Sequence, residues 1–350
     1  MSGHSPIVWK ENKLYLLDQR LLPHQEVFVE VNSLNACAAA ITDMVVRGAP
    51  CIGFSAIYGM ALWVNSQNDF TLHSINKACD EMIAARPTAV NLAFEVNRCR
   101  KILTDLTTAG NTKEVLFNAM VSFGDQQIAE SEKKNTAMGN FALEHLKKMV
   151  KKDKWNLMTH CNTGFLACGS LGTALGVISL AHRANRVEHV YADETRPYLQ
   201  GSRLTAYELG KEKIPYSIVV EGAASYLMKE SKIDAIFVGA DRIACNGDTA
   251  NKVGTSTLSI VAKHYGVPFY VVAPISSFDL ATKTGKEIEI EMRPSEEITQ
   301  IKGVQIAPTD AAVVNPSFDV TDYQFITGIV CEKGFIDPSI PGEVERIVNS

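Results

Sequence analysis

From about Trp155 onward the chain alternates short apolar runs with longer amphipathic segments. "WNLMTH", "VEHVYA", "PYSIVV", "DAIFVG" and "VPFYVVAP" have strand length, and the first four each lead through a polar cluster into a helical pattern. Strands alternating with helices predict βαβ units and a parallel sheet buried on both faces. "LACGSLGTALGVISLAHRA" reads as one helix-length segment after the first run, and "NKVGTSTLSIVAKHYG" as the helix after the fourth. Upstream, "LYLLDQRLLPHQEVFVEVNS" reads as strands or a hairpin. Helix-like segments then run from Leu34 to Leu146, punctuated at Arg47-Gly48-Ala49-Pro50 and Arg86-Pro87-Thr88. The lysine-rich "EHLKKMVKKDKW" reads as a solvated helix end. The expected organisation is a β-hairpin plus helical domain over 1–150 and an α/β catalytic domain over 151–350.

The polar clusters each follow a predicted strand, so they share the carboxyl edge of one sheet, where open α/β sheets bind ligands. Right-handed crossovers and short loops bring such turns together although they are far apart in sequence. Cys161-Asn162-Thr163-Gly164, "DETRPYLQGSR", Glu221-Gly222 and Asp241-Arg242 therefore converge on one edge.

Composition narrows the partners. The 350 residues are 46% hydrophobic and 21% charged, as in an ordinary globular protein. A net charge of −5 without a long basic run argues against a nucleic-acid surface and leaves room for a local anion pocket. The eight cysteines, Cys37, Cys51, Cys79, Cys99, Cys161, Cys168, Cys245 and Cys331, form no CxxC pair. "MSGHSPIVWKENKLY" lacks the basic-then-apolar build of a signal peptide, so free thiols in a reducing cytoplasm are expected. Gly48–Asn68 and Cys161–His182 carry no Asp, Glu, Lys or Arg, but Gly, Ser, Asn and Thr interrupt both. They read as buried helices, not membrane spans.

Several residues on the active edge could carry chemistry. Cys161 follows a strand and precedes a glycine turn into a helix, whose N–H groups and dipole favour a thiolate. Asp241 closes the fourth strand, where desolvation suits a carboxyl to general acid/base work. Arg47, Arg86, Arg196 and Lys252 are candidate anion contacts, Arg47 and Lys252 beside probable helix starts. Neither GxxxxGK[ST] nor GxGxxG occurs, so a small phosphorylated metabolite fits better than a nucleotide. His160 neighbours Cys161, but adjacent residues on a strand point to opposite faces, which disfavours a Cys–His dyad. Asp193-Glu194 beside Arg196 reads as a metal site, an ion-pair network or an active-site wall.

"RGAPCIG", "RPTAVNL", "CNTG", "ETRPYLQGSRLTAYEL", "GADRIACNGDTANKVGT" and "NPSFDVT…FITGIV…EKG" stand in the order seen in methylthioribose-1-phosphate isomerases, which the chain resembles over essentially its whole length. That family is related to ribose-1,5-bisphosphate isomerase and to the regulatory subunits of the exchange factor for translation initiation factor 2. The resemblance implies a small, mainly helical N-terminal domain and a Rossmann-like C-terminal domain, in a homodimer. By the same resemblance, Cys161 and Asp241 match the catalytic pair. Arg47, Gly48, Ala49, Arg86, Gln200, Asn251 and Lys252 match substrate contacts, with no metal and no cofactor. Asn251-Lys252 would open the helix after the fourth strand, while Arg242 would clamp ion pairs near the site. The implied activity is aldose-to-ketose isomerisation of 5-methylthioribose 1-phosphate in methionine salvage. The alternatives are an isomerase of 5-deoxyribose 1-phosphate or a non-catalytic regulatory relative binding sugar phosphates or nucleotides.

Overall fold

The structure is a computed structural model that describes residues 5–87 and 89–350, and the backbone alone of Val90. Thr88, one of the expected punctuation points, lies outside the described residues. The chain forms two compact units, one holding residues up to Lys133 with Gly164–Gly172, the other Lys134–Thr163 with Thr173–Ser350. The expected change of domain near residue 150 rested on a lysine run that ends the long helix α5 (Lys113–Met149), whose residues are shared between the units.

In the first unit, β1 (Ile7–Lys10), β2 (Lys13–Leu17) and β3 (Phe28–Val31) form an antiparallel meander. Then come α1 (Leu34–Thr42), α2 (Ala49–Ser66), α3 (Leu72–Ala84) and α4 (Val90–Thr108), with one further turn, α6 (Phe165–Cys168). Ser33 accepts the Ala36 N–H to cap α1, and Thr71 with Ser74 closes a capping box on α3. Every residue of α2 from Cys51 to Val64 is buried, as its uncharged sequence requires. No helix among the described residues is long and apolar enough to cross a membrane.

The second unit is built on a seven-stranded sheet. Its parallel strands are β4 (Trp155–Thr159), β5 (Val187–Asp193), β6 (Tyr216–Val219), β7 (Ala235–Val238), β10 (Phe269–Val272) and β15 (Gly328–Cys331), and β16 (Gly334–Ile336) adds an antiparallel edge. The spatial order β16-β15-β10-β7-β4-β5-β6 reverses direction between β4 and β7. Successive strand residues feed opposite cores. Leu157, Phe237, Tyr270 and Val272 enter one, while Met158, Ile236, Val238, Phe269 and Val271 enter the other. Burial on both faces is why these strands read as continuous apolar runs.

Helices α7 (Ala174–Arg183), α8 (Ala206–Lys211), α9 (Ala223–Lys229) and α10 (Thr255–Tyr265) follow successive strands. The segment expected to be one helix after Cys161 is two, α6 and α7. Gly169 turns left-handed (φ +82°) at the end of α6, and the chain resumes helix only after Thr173. The polar stretch after β7 is a hairpin, β8 (Arg242–Ala244) and β9 (Thr249–Lys252), in a second sheet with β11 (Phe278–Asp279) and β14 (Phe318–Thr321). Its turn is held by buried Asp248, which accepts from Asn246 Nδ2 (2.8 Å), Gly285 N (2.9 Å) and Tyr323 N (2.9 Å). A short helix α11 (Glu296–Thr299), a small hairpin β12 (Gln300–Ile301) with β13 (Val304–Gln305), and the terminal helix α12 (Glu343–Asn349) complete the unit.

Candidate active site

Cys161 lies two residues past β4 and Asp241 three past β7, at the carboxyl ends of neighbouring strands. Strand order reverses between these two strands, and that crevice is where open α/β sheets place their ligands. Gln200 follows β5, on the other side of β4. The second unit thus brings Cys161, Asp241 and Gln200 to one edge from three adjacent strands.

Cys161 sits in the left-handed region (φ +63°), as do Thr195 (+64°) and Leu199 (+60°) nearby along the edge. That conformation is costly for a side-chain-bearing residue, most of all for β-branched threonine, and persists only where surrounding bonds hold it. Here they do. The Cys161 N–H donates to Thr195 Oγ1 (2.9 Å), whose hydroxyl donates to the Asp193 carbonyl (3.0 Å). Thr205 Oγ1 donates to the Cys161 carbonyl (2.6 Å), and Asn162 Nδ2 donates to Thr205 Oγ1 (3.3 Å) and Glu208 Oε1 (2.8 Å). The half-buried cysteine is therefore clamped through its backbone, leaving its side chain to the edge.

Thr205→Val keeps the shape and removes the hydroxyl. The Cys161 carbonyl then loses its donor, and stability should fall by about 1–3 kcal/mol in urea denaturation. With Cys161 less firmly held, kcat should fall about 10- to 100-fold while KM stays near wild type.

Gln200 is buried and precedes a π-helical turn (Gly201–Thr205). A Cβ on Gly201 would stand 1.5 Å from the Asp193 carbonyl oxygen, so only glycine admits this close approach to the end of β5. Gln200 Oε1 is buried without a hydrogen-bond partner, an acceptor available to a ligand or water.

Asp241 corrects one expectation. It is exposed at a bend beyond the sheet, so the desolvation argued for it does not apply. Its N–H donates to the Ala250 carbonyl (2.9 Å), tying it to β9. Asn251 and Lys252 correct another. They lie on β9 and do not open α10, which starts after Gly254. Pairing with Asp319 and Phe318 of β14 holds them extended, while β8 pairs the preceding Thr249 and Ala250. Asn251 Nδ2 donates to Thr255 Oγ1 (2.9 Å); Lys252 Nζ donates to the Ser317 carbonyl (2.7 Å) and stands 4.7 Å above the Phe318 ring. The cap of α10 comes from β14, where Asp319 accepts the N–H groups of Gly254 (2.7 Å) and Ser256 (3.0 Å).

Arg47, Gly48, Ala49 and Arg86 belong to the first unit. Gly48 (φ +90°) is the N-cap of α2 and Ala49 its first residue, so Arg47 does precede a helix start. Half-buried Arg86 follows the end of α3. Two other arginines are engaged structurally. Arg196 donates to the carbonyls of Pro197 (2.8 Å) and Ile298 (2.9 Å), and Arg242 pairs with Asp279 (3.7 Å).

His160 and Asp193 were only partly legible. The His160 ring is fully buried, with Nδ1 3.1 Å from Asp193 Oδ2 and Nε2 2.9 Å from the Val253 carbonyl. Both ring nitrogens are engaged away from the thiol, which removes the Cys–His dyad. Burial opposes a charged ring, but the Asp193 bond and charge, with the Val253 carbonyl, hold it above the ordinary histidine range. Thr195 and Thr205, which clamp Cys161, lie within the stretch "ETRPYLQGSRLTAYEL", but nothing local marked their roles, which depend on contacts between distant segments.

A cavity of about 550 Å³ in the second unit is walled by Asp193, Glu221, Val253, Leu258 and Ile298 among others, and by Arg196, whose guanidinium is bound to carbonyls. Its lining includes neither Cys161 nor Asp241, so its size does not make it the reaction site.

Comparisons with known proteins give the family. Residues 45–338 match the initiation factor 2 subunit family. The chain is 43% identical over 352 residues to methylthioribose-1-phosphate isomerase 2 of Pseudothermotoga lettingae, covering 100% of both. It is 46% identical over 340 residues to methylthioribose-1-phosphate isomerase of Thermoanaerobacter sp. strain X514, covering 95% of each. Among solved structures, 5-methylthioribose 1-phosphate isomerase from Pyrococcus horikoshii superposes with a TM-score of 0.92 at 34% identity, over 100% of this chain and 97% of that one. A chain described as translation initiation factor eIF-2B subunit delta from A. fulgidus gives 0.89 at 33% identity, over 99% and 100%.

Proposed function

Because the chain belongs to the methylthioribose-1-phosphate isomerase family, within the initiation factor 2 subunit family, we infer that it converts 5-methylthioribose 1-phosphate to 5-methylthioribulose 1-phosphate in methionine salvage. It is an aldose–ketose isomerase. The observation that carries the residue assignment is the pairing of Cys161 and Asp241 at the point where strand order reverses.

The 1-phosphate locks the sugar as an acetal, so the ring must open during the reaction. Asp241 protonates the ring oxygen as its bond to C1 breaks, and the Cys161 thiolate takes the C2 proton. The electron pair of the C2–H bond becomes the C1=C2 double bond of an enediol-type intermediate. Loss of the C2 hydroxyl proton then gives the ketone as C1 is reprotonated. Proton transfers of this kind are the work of positioned side chains. Lys252, Asn251 and Gln200 hold the sugar phosphate; Arg47, Gly48, Ala49 and Arg86 of the first unit are the further substrate contacts that the family resemblance implies. In deuterium oxide, product formed this way carries solvent deuterium at C1; complete retention of the C2 hydrogen would mean a hydride shift instead.

The catalytic domain is Rossmann-like, a reading supported by the order of its six parallel strands, 3-2-1-4-5-6 when counted along the chain. We place the protein in the cytoplasm as a homodimer. Eight free thiols suit a reducing compartment. The exposed Ile218, Val220 and Tyr226, along edge strand β6 and α9, are an apolar face that a dimer would cover.

A second reading has an observation in its favour, the likeness to the chain described as an eIF-2B subunit. A non-catalytic binder needs neither Cys161 nor Asp241 at the edge. An NMR assay offering methylthioribose 1-phosphate and 5-deoxyribose 1-phosphate in parallel decides among the three. Preference for the first establishes the salvage isomerase, and equal or faster turnover of the second reassigns the substrate. No turnover of either, with tight ligand binding, favours the regulatory relative. The two substrates differ at C5 alone, where one contact is worth about 1–3 kcal/mol, so some cross-reaction is expected.

A further inference from the structure

His160 immediately precedes Cys161, yet its bonds lead to two other segments of the active edge, the end of β5 and the turn after β9. We propose that His160 is a positioning residue: its Nε2 bond to the Val253 carbonyl sets the turn at Lys252–Gly254, and with it Asn251 and Lys252, relative to Cys161. The inference rests on the phosphate-binding role given to those two side chains above.

A carbonyl can only accept, so Nε2 must carry a hydrogen, and the Asp193 contact at Nδ1 orients the ring that delivers it. The turn is shaped for this approach. Gly254 is left-handed (φ +103°), and a Cβ there would stand 2.8 Å from His160 Cε1. On its other side the turn is held by Asp319 through the Gly254 N–H (2.7 Å). It is thus fixed between β4 and β14, and Lys252 stands one residue before the bonded carbonyl. Cys161 has its own, separate bonds to Thr195 and Thr205. The two sets of bonds divide the site into a part that holds phosphate and a part that holds the thiol.

Two conservative variants separate the bonds of the ring. In His160→Asn the amide nitrogen stands near the former Nδ1, keeping Asp193 and losing Val253. In His160→Gln it stands near the former Nε2, keeping Val253. His160→Asn is expected to raise KM for methylthioribose 1-phosphate about tenfold, with kcat within about threefold of wild type, as for loss of one positioning hydrogen bond. His160→Gln is expected within about threefold of wild type in both constants. Asp193→Asn serves if a His160 variant does not fold. Its amide can donate to a bare Nδ1 and leave Nε2–H on Val253, so KM should again stay within about threefold.

Unchanged KM in folded His160→Asn, or a fall in kcat instead, overturns the proposal. So does a tenfold rise in KM with Asp193→Asn, which would mean that charge, not the Val253 bond, carries the effect. A lower melting temperature with unchanged constants per folded molecule would reduce His160 to a structural role and also overturn it. Affinity for inorganic phosphate is measured beside the assay. If wild type turns over neither sugar phosphate, the functional reading fails, and the tenfold loss in His160→Asn is then sought in phosphate binding alone.

Discussion

Cys161→Ala should give a folded protein whose kcat for methylthioribose 1-phosphate is lower by about 10²–10⁴, the range for loss of a general acid or base. The fold should survive because the bonds that shape this position go to the Cys161 backbone, its N–H to Thr195 and its carbonyl from Thr205. Alanine keeps both. The thiol is half-buried and outside the apolar cores, so its removal leaves no cavity among packed side chains. Thermal denaturation should move little, within about 0.5 kcal/mol in stability. Chemistry and folding are thereby separated in one variant. Full activity in Cys161→Ala would take the thiol out of the reaction and leave the αL clamp without a function.

For Asp241→Asn the expected loss in kcat is of the same size, about 10²–10⁴, for a different atom of the substrate. The amide is nearly isosteric with the carboxylate and can bond to a ring oxygen, but it has no acid proton to give as the C1–O bond breaks. KM should change little, because the phosphate is held elsewhere. The side chain is exposed, and its backbone bond to Ala250 is independent of it, so the urea midpoint should match wild type. Because the two groups serve one sequence of proton transfers, the double variant should be little worse than the poorer single one. Additive losses would mean that they act on separate steps. An active Asp241→Asn would require another proton source.

How much of this was legible before folding depended on range. The strands β7 and β10 were visible as apolar runs because a strand buried on both faces needs every residue to be apolar, which is a local demand, whereas β5 and the exposed edge strand β6 were visible only from their length and the polar clusters after them. The polar clusters after those strands were visible for a related reason: carboxyl-edge loops are free of the core. Cys161, Asp241 and the polar cluster that contains Gln200 could therefore be assigned to one edge from spacing alone, Gln200 itself being singled out only by the family resemblance, and the three follow adjacent strands in the structure.

Elsewhere the local pattern was the same for two structures. "LACGSLGTALGVISLAHRA" satisfies a single helix, but a left-handed glycine splits it. "NKVGT" satisfies a helix start equally well, yet Asn251 and Lys252 form a strand because β14, far along the chain, offers them partners. Asp241 was expected to be desolvated because it follows a buried strand, but burial ends at Gly239, just past β7, and Asp241 lies two residues further on, exposed.

The sequence by itself determined the parallel sheet, its carboxyl edge, and which residue types arrive there, since these follow from the periodicity of apolar residues and the chemistry of turns. Only the tertiary structure decided that Thr195 and Thr205 hold Cys161 in a left-handed conformation, and that His160 faces Asp193 and Val253 instead of the thiol. Those decisions belong to hydrogen bonds between residues 33 to 93 positions apart. Each partner's side chain acquires its role only when strand pairing brings a second segment within bonding distance, and no window of sequence contains both.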